Sequence, residues 1–98
     1  MISEHLHASA AMHAQLIEKA LEKYGSVTGV AANFEIHRAN LSRYFSAKKL
    51  PAYIAHMLAV DLGENEAAAI IEAEKYAARS DRERRYWSEQ LLRALGLD

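Results

Sequence analysis

The sequence predicts an all-α protein: a bundle of five to six helices that contains a helix-turn-helix and ends in a C-terminal helical extension. Three observations carry that prediction. Apolar residues recur at three- and four-residue intervals nearly throughout, as one-sided helix burial requires. No run alternates apolar and polar residues as a half-buried strand does. Helix-stopping and helix-starting residues (Gly25-Ser26, Pro51, Gly63, Asn65 and Ser80) punctuate the periodic stretches.

The first helix places Leu6, His13, Leu16, Ile17, Ala20, Leu21 and Tyr24 on one broad face. It stops at Gly25, a residue suited to the left-handed conformation just past a helix end. Ser26 caps a second helix of about two turns, Val27 to Phe34, which buries Val30, Ala31 and Phe34. A third, from about Arg38 to Ser46, turns Leu41, Tyr44 and Phe45 inward and Arg38, Ala39, Ser42, Arg43 and Ser46 outward. Pro51 fits the first turn of a fourth helix, which runs through Ile54, Leu58 and Leu62 to Gly63. Asn65 caps a fifth, with Ala67, Ile70 and Ile71 as its buried stripe. Ser80 with Glu83 has the capping-box pattern and predicts a break near residue 80, then a last helix holding Trp87, Leu91 and Leu95. One uninterrupted helix from 66 to 95 is the alternative.

The 98 residues, 51% of them apolar, suffice for one compact domain with one core, spanning 1–98. There is no internal repeat, low-complexity tract or linker. Cysteine is absent, which excludes disulfides and thiolate metal sites. The opening MISEHLHASAAMH has neither a basic segment nor a long apolar run, and no stretch approaches the roughly 20 apolar residues of a membrane span. The expected location is cytoplasmic, with no membrane contact. Net charge is only −1, but it is unevenly spread: residues 26–50 carry a local +3 and residues 51–78 a local −4. Such asymmetry would turn the basic side toward phosphate and the acidic side away from it.

Two short helices joined by a three-residue turn, with small Ala31 and Ala32 where the first approaches the second, describe a helix-turn-helix over about residues 26–47. The segment SVTGVAANFEIHRANLSRYFSAKKLP, residues 26–51, resembles the DNA-binding core of the lambda repressor-like (Xre/Cro-type) group. The likeness rests on Val30-Ala31, Phe34, Ile36, Leu41-Ser42-Arg43-Tyr44 and Lys48-Lys49-Leu50-Pro51, and it extends to the helix ending LAVDLGEN. The C-terminal part, from about Leu50 to Leu95 and including a helical extension at about 64–96, is similar to that of small phage and prophage regulators through Leu62-Gly63, Glu72, Glu74, Arg84 and Trp87.

Three departures stand out. Glu35 occupies the place of the family's turn glycine, and a left-handed non-glycine residue costs about 1–2 kcal/mol, so a wider turn is expected. His37 replaces the usual Ser or Thr cap of the recognition helix, forfeiting about 1 kcal/mol. Val27 replaces a common phosphate-binding Gln, which leaves that contact to Ser26, Thr28 or a backbone N–H.

The resemblance implies a sequence-specific DNA-binding transcriptional regulator, of the phage or prophage repressor kind, whose recognition helix (about 38–46) enters the major groove of an operator. Arg38 and Arg43 would each fork onto guanine, Ala39 would meet a thymine methyl, and Ser42 would let the backbone come close. Asn40 and Ser46 would bond to phosphate or sugar, and Lys48 and Lys49 would add phosphate contacts. Double-stranded DNA is the expected partner, bound by a homodimer on two half-sites. The apolar Tyr86, Trp87, Leu91, Leu92 and Leu95 suggest a dimer surface on the last helix or its junction with the fifth, unless Trp87 closes the core against the first helix. The alternative function is a protein-interaction module, antirepressor- or antitoxin-like, that holds a partner through its C-terminal helices.

Other chemistry finds little support. His5, His7 and His13 have neither zinc-finger nor HExxH spacing, and no metal or other cofactor is expected. Glu35 and His37 lack a third group that would complete a catalytic site, so no enzymatic activity is expected. Charges of mixed sign on the helix faces argue against a membrane-surface helix.

Overall fold

A computed structural model describes residues 12–97, which form six α-helices with no strand among the described residues. They are α1 Met12–Tyr24, α2 Val27–Phe34, α3 Arg38–Ala47, α4 Ala52–Leu62, α5 Glu66–Ala77 and α6 Asp81–Ala94. Leu6, His5 and His7 lie outside the described residues.

The helix ends follow from local chemistry. Gly25 takes φ 84° after α1. The Ser26 Oγ accepts the Gly29 N–H at 3.0 Å, the Asn65 Oδ1 accepts the Ala68 N–H at 3.0 Å, and the Ser80 Oγ accepts the Glu83 N–H at 3.1 Å. Each satisfies a donor that the first helical turn leaves open. The break before α6 is present, because Ala78 is extended at ψ 139° and Ser80 starts a new helix. Helix α3 runs one residue beyond Ser46. Pro51 sits at the N-cap of α4 rather than within its first turn: its ψ of 153° is extended, and its carbonyl accepts the Ala55 N–H at 2.9 Å.

The turn between α2 and α3 does not widen. Glu35 adopts the left-handed conformation (φ 55°, ψ 44°), and the Ile36 N–H bonds back to the Ala31 carbonyl at 2.9 Å. That conformation drops Ile36 onto the core, and burying an isoleucine is worth about 1.5–3 kcal/mol when complete, enough to offset the strain at Glu35. Gly29 makes a second tight crossing possible. A Cβ there would lie 2.3 Å from the Tyr24 carbonyl oxygen, so α2 can start this close to the end of α1 only with glycine at that position.

Leu16, Leu41, Ile54, Leu58 and Leu91 are fully buried at the centre. Around them α1 packs on α2, α4 and α5, α2 on α3, α4 on α5, and α5 on α6. The buried stripe of α5 is Ala68, Ala69, Glu72 and Ala73, in place of the expected Ala67, Ile70 and Ile71. Ile71 is half-buried against the core, whereas Ile70 is 37% exposed. The rotation puts small side chains where α5 meets α4, whose own Ala55 and Ala59 are fully buried, and it carries Glu72 to the start of α1. Leu91 enters the core from α6 with Leu95 beside it, while half-buried Trp87 stands outside that cluster and meets exposed Tyr86 edge to face at 5.0 Å. No helix among the described residues is long and apolar enough to cross a membrane.

Candidate nucleic-acid interface

Helix α3 has two chemically distinct flanks. Leu41 and Phe45 are buried and Tyr44 packs beside them, which fixes the rod from within. Arg38, Ala39, Asn40, Arg43 and Ser46 are exposed, as are Lys48 and Lys49 beyond its end. Ser42, expected outward, is half-buried: it borders a concavity against Ile17 and Leu21 of α1, because its position on the helix turns it toward that neighbour.

The two arginines are held by short side chains rather than left loose. The Arg38 Nε–H donates to the Thr28 Oγ1 at 2.8 Å, across the turn from α3 to α2. An Arg43 terminal amine donates to the Asn40 Oδ1 at 3.2 Å, and its guanidinium lies 5.7 Å from the Tyr44 ring. Thr28 and Asn40 therefore already have partners within the chain and orient guanidinium forks. Ser26 is likewise occupied as a cap, while His37, at the N-cap of α3, makes no side-chain capping bond.

The exit of α3 rests on a buried polar cluster. Lys48 takes a left-handed conformation (φ 57°, ψ 33°), and the Lys49 N–H reaches back to the Tyr44 carbonyl at 3.3 Å. One residue on, the Leu50 N–H donates to the His13 Nδ1 at 3.0 Å. With Nδ1 accepting, His13 is the neutral tautomer whose Nε2–H donates to the Ala69 carbonyl at 2.9 Å. Its own backbone N–H donates to the Glu72 carboxylate at 2.8 Å, and the Tyr76 hydroxyl donates to the same oxygen at 3.0 Å. His13 thus joins α1, α5 and the link that carries the two lysines.

Burial pushes the His13 pKa down from 6.5, opposed by its bond to the Ala69 carbonyl. Burial pushes Glu72 up, opposed by the N–H of His13, the Tyr76 hydroxyl, the Met12 backbone and Lys75. Tyr76 is raised by burial and by the neighbouring carboxylate. The sequence placed His13 on an apolar face, but it did not show this cluster. The available signal was a lone histidine in α1 and a glutamate in register with the α5 alanines.

Cations are treated differently in two parts of the molecule. Near the α4 C-terminus, Lys19 pairs with Glu64, and Lys23 pairs with Asp61 at 2.9 Å. The bonds from Lys23 and Tyr24 hold the Asp61 carboxyl below its ordinary range. On and after α3, Arg38, Arg43, Lys48 and Lys49 have no carboxylate partner among the described residues. No group of three His, Asp or Glu side chains among the described residues is placed to hold a metal ion. Compared with family models, curated proteins and solved structures, the chain finds no match in any of the three.

Proposed function

We propose that this chain is a sequence-specific DNA-binding transcriptional regulator with a lambda repressor-like helix-turn-helix, most akin to phage and prophage repressors. Helix α3 enters the major groove of an operator, and Arg38 and Arg43 read guanines through the amines their internal bonds leave open. Lys48 and Lys49 contact phosphates, and a homodimer engages two half-sites. The observation that carries this reading is the segregation of charge. The cations of α3 and its exit lack carboxylate partners on a flank whose opposite side is locked into the core, while Lys19 and Lys23 are neutralised elsewhere.

Selection of bound duplexes from a random pool tests the proposal. A recovered two-fold symmetric site, with affinity reduced by Arg38→Ala and by Arg43→Ala by about 1–3 kcal/mol each, supports it. Binding unchanged by the double substitution overturns it. The second reading, a module that captures a protein partner, is favoured by the aromatic pair Tyr86 and Trp87, since Tyr86 is 53% exposed. A stoichiometric partner from lysate, lost on Trp87→Ala and accompanied by no selected duplex, would replace the first reading with the second.

A further inference from the structure

Helices α4, α5 and α6 run back and forth, and this brings the start of α6 to the exit of α3. One groove is lined by Tyr44, Lys49 and Pro51 on one side and by Ala73, Glu74, Tyr76 and Ala77 on the other. The Lys49 Nζ lies 5.5 Å from the Tyr76 ring, and Arg79 follows Tyr76 by only three residues. At the opposite end, the Asn65 side chain donates to the Ala94 carbonyl at 2.7 Å, so α6 points its first turns toward α3 and its last turn away.

Arg79, Arg82 and Arg85 are exposed in this position, and none has a carboxylate partner among the described residues. The neighbouring charges do not cancel them. Arg84 is paired with Asp81, and the Glu83 carboxylate accepts the Arg79 backbone N–H at 3.4 Å. With Glu74 of the groove and its neighbour Lys75 included, residues 74–85 carry a local +2. Arg82 and Arg85, three residues apart, share one face of α6. The unpaired cations of α3 therefore continue, past Lys48 and Lys49, onto a second element distant in sequence.

We infer that Arg79, Arg82 and Arg85 form a second phosphate-contacting surface for double-stranded DNA, flanking the C-terminal end of the recognition helix. This rests on the DNA-binding reading above and extends its footprint beyond the helix-turn-helix. Contacts of this kind set position and affinity without reading sequence, so their signature is the salt dependence of binding.

The test measures the affinity of the full chain for a selected duplex and for a random duplex between about 50 and 200 mM salt. Arg79→Ala with Arg82→Ala should make the logarithmic salt slope shallower by about 1–2, at about 0.9 for each phosphate no longer neutralised. Both duplexes should weaken alike, Arg79→Lys with Arg82→Lys should keep the slope, and Lys23→Ala, at a lysine already paired with Asp61, should leave it unchanged. An unaltered slope, a loss confined to the selected duplex, or an equal change in Lys23→Ala overturns the inference. If wild-type chain binds neither duplex, the inference falls together with the DNA reading. If Arg38→Ala and Arg43→Ala weaken binding while the α6 pair does not, this inference alone fails.

Discussion

Among the described residues two non-glycine residues hold left-handed conformations, Glu35 at φ 55° and Lys48 at φ 57°, one on either side of α3. Replacing either with glycine removes about 1–2 kcal/mol of backbone strain. Against that, the unfolded chain gains freedom worth about 0.4–1 kcal/mol. Glu35 is exposed and makes no side-chain bond among the described residues, so Glu35→Gly should stabilise the fold by about 0.5–1 kcal/mol, or roughly 2–8 °C in Tm for a domain of this size. Lys48→Gly should gain less, since a cation at a helix C-terminus is itself worth about 0.3–1 kcal/mol. Under the proposed DNA-binding function, the two variants should part company on DNA. Glu35→Gly raises the local charge of the binding segment and should tighten binding, whereas Lys48→Gly should weaken it and reduce the salt slope by about 0.9. Thermal unfolding with parallel duplex titrations reads both effects. If Glu35→Gly lowers Tm, or if the two variants bind DNA equally, the account of the turn and of the exit lysine is wrong.

Gly29→Ala should destabilise the fold by about 1–3 kcal/mol in urea titration, although alanine normally gains about 1 kcal/mol over glycine within a helix, because the new Cβ meets the Tyr24 carbonyl oxygen at 2.3 Å. A rise in the urea midpoint would contradict the close crossing of α1 and α2. Stability should also depend on pH through the buried cluster, with two opposed contributions. His13 has a depressed pKa, so its contribution is complete above 6.5 and is lost as pH falls from there toward its folded value. Glu72 has a raised pKa, so the unfavourable ionised form is relieved as pH falls through its folded value toward 4.5. Glu72→Gln removes the second contribution, and its urea midpoint should drop more steeply than wild type between pH 6.5 and 4.5. Parallel profiles would refute the opposition.

The parts of this structure that are decided within a few residues were legible in the sequence. Ser26, Asn65 and Ser80 cap because each needs only the N–H three residues ahead. The inward flank of α3 follows from the spacing of Leu41 and Phe45. What was not legible is decided across the chain. The rotation of α5 answers to alanines on α4 and to the start of α1, so Ile70, the more apolar residue, is left partly in water. Glu72 meets His13 across 59 residues, and nothing local in either helix announces the pairing. At Glu35 local and global preferences conflict, and seating Ile36 prevails over a strained backbone angle. On α3, the exposure of both arginines could be anticipated from periodicity, but the engagement of Thr28 and Asn40 as their supports could not, since it depends on how α2 crosses α3 and on which rotamers result.

The imidazole of His13 accepts on one nitrogen, donates on the other, and thereby touches the segment that leads out of α3. That makes it a native spectroscopic sensor, needing no label chemistry beyond isotopes. The resonance of its bare nitrogen registers whether Leu50 stays attached, and the exchange of its lone ring proton registers whether the interior stays dry. A nuclear magnetic resonance titration with duplex would then report, from deep inside the molecule, how much tension a surface encounter transmits inward.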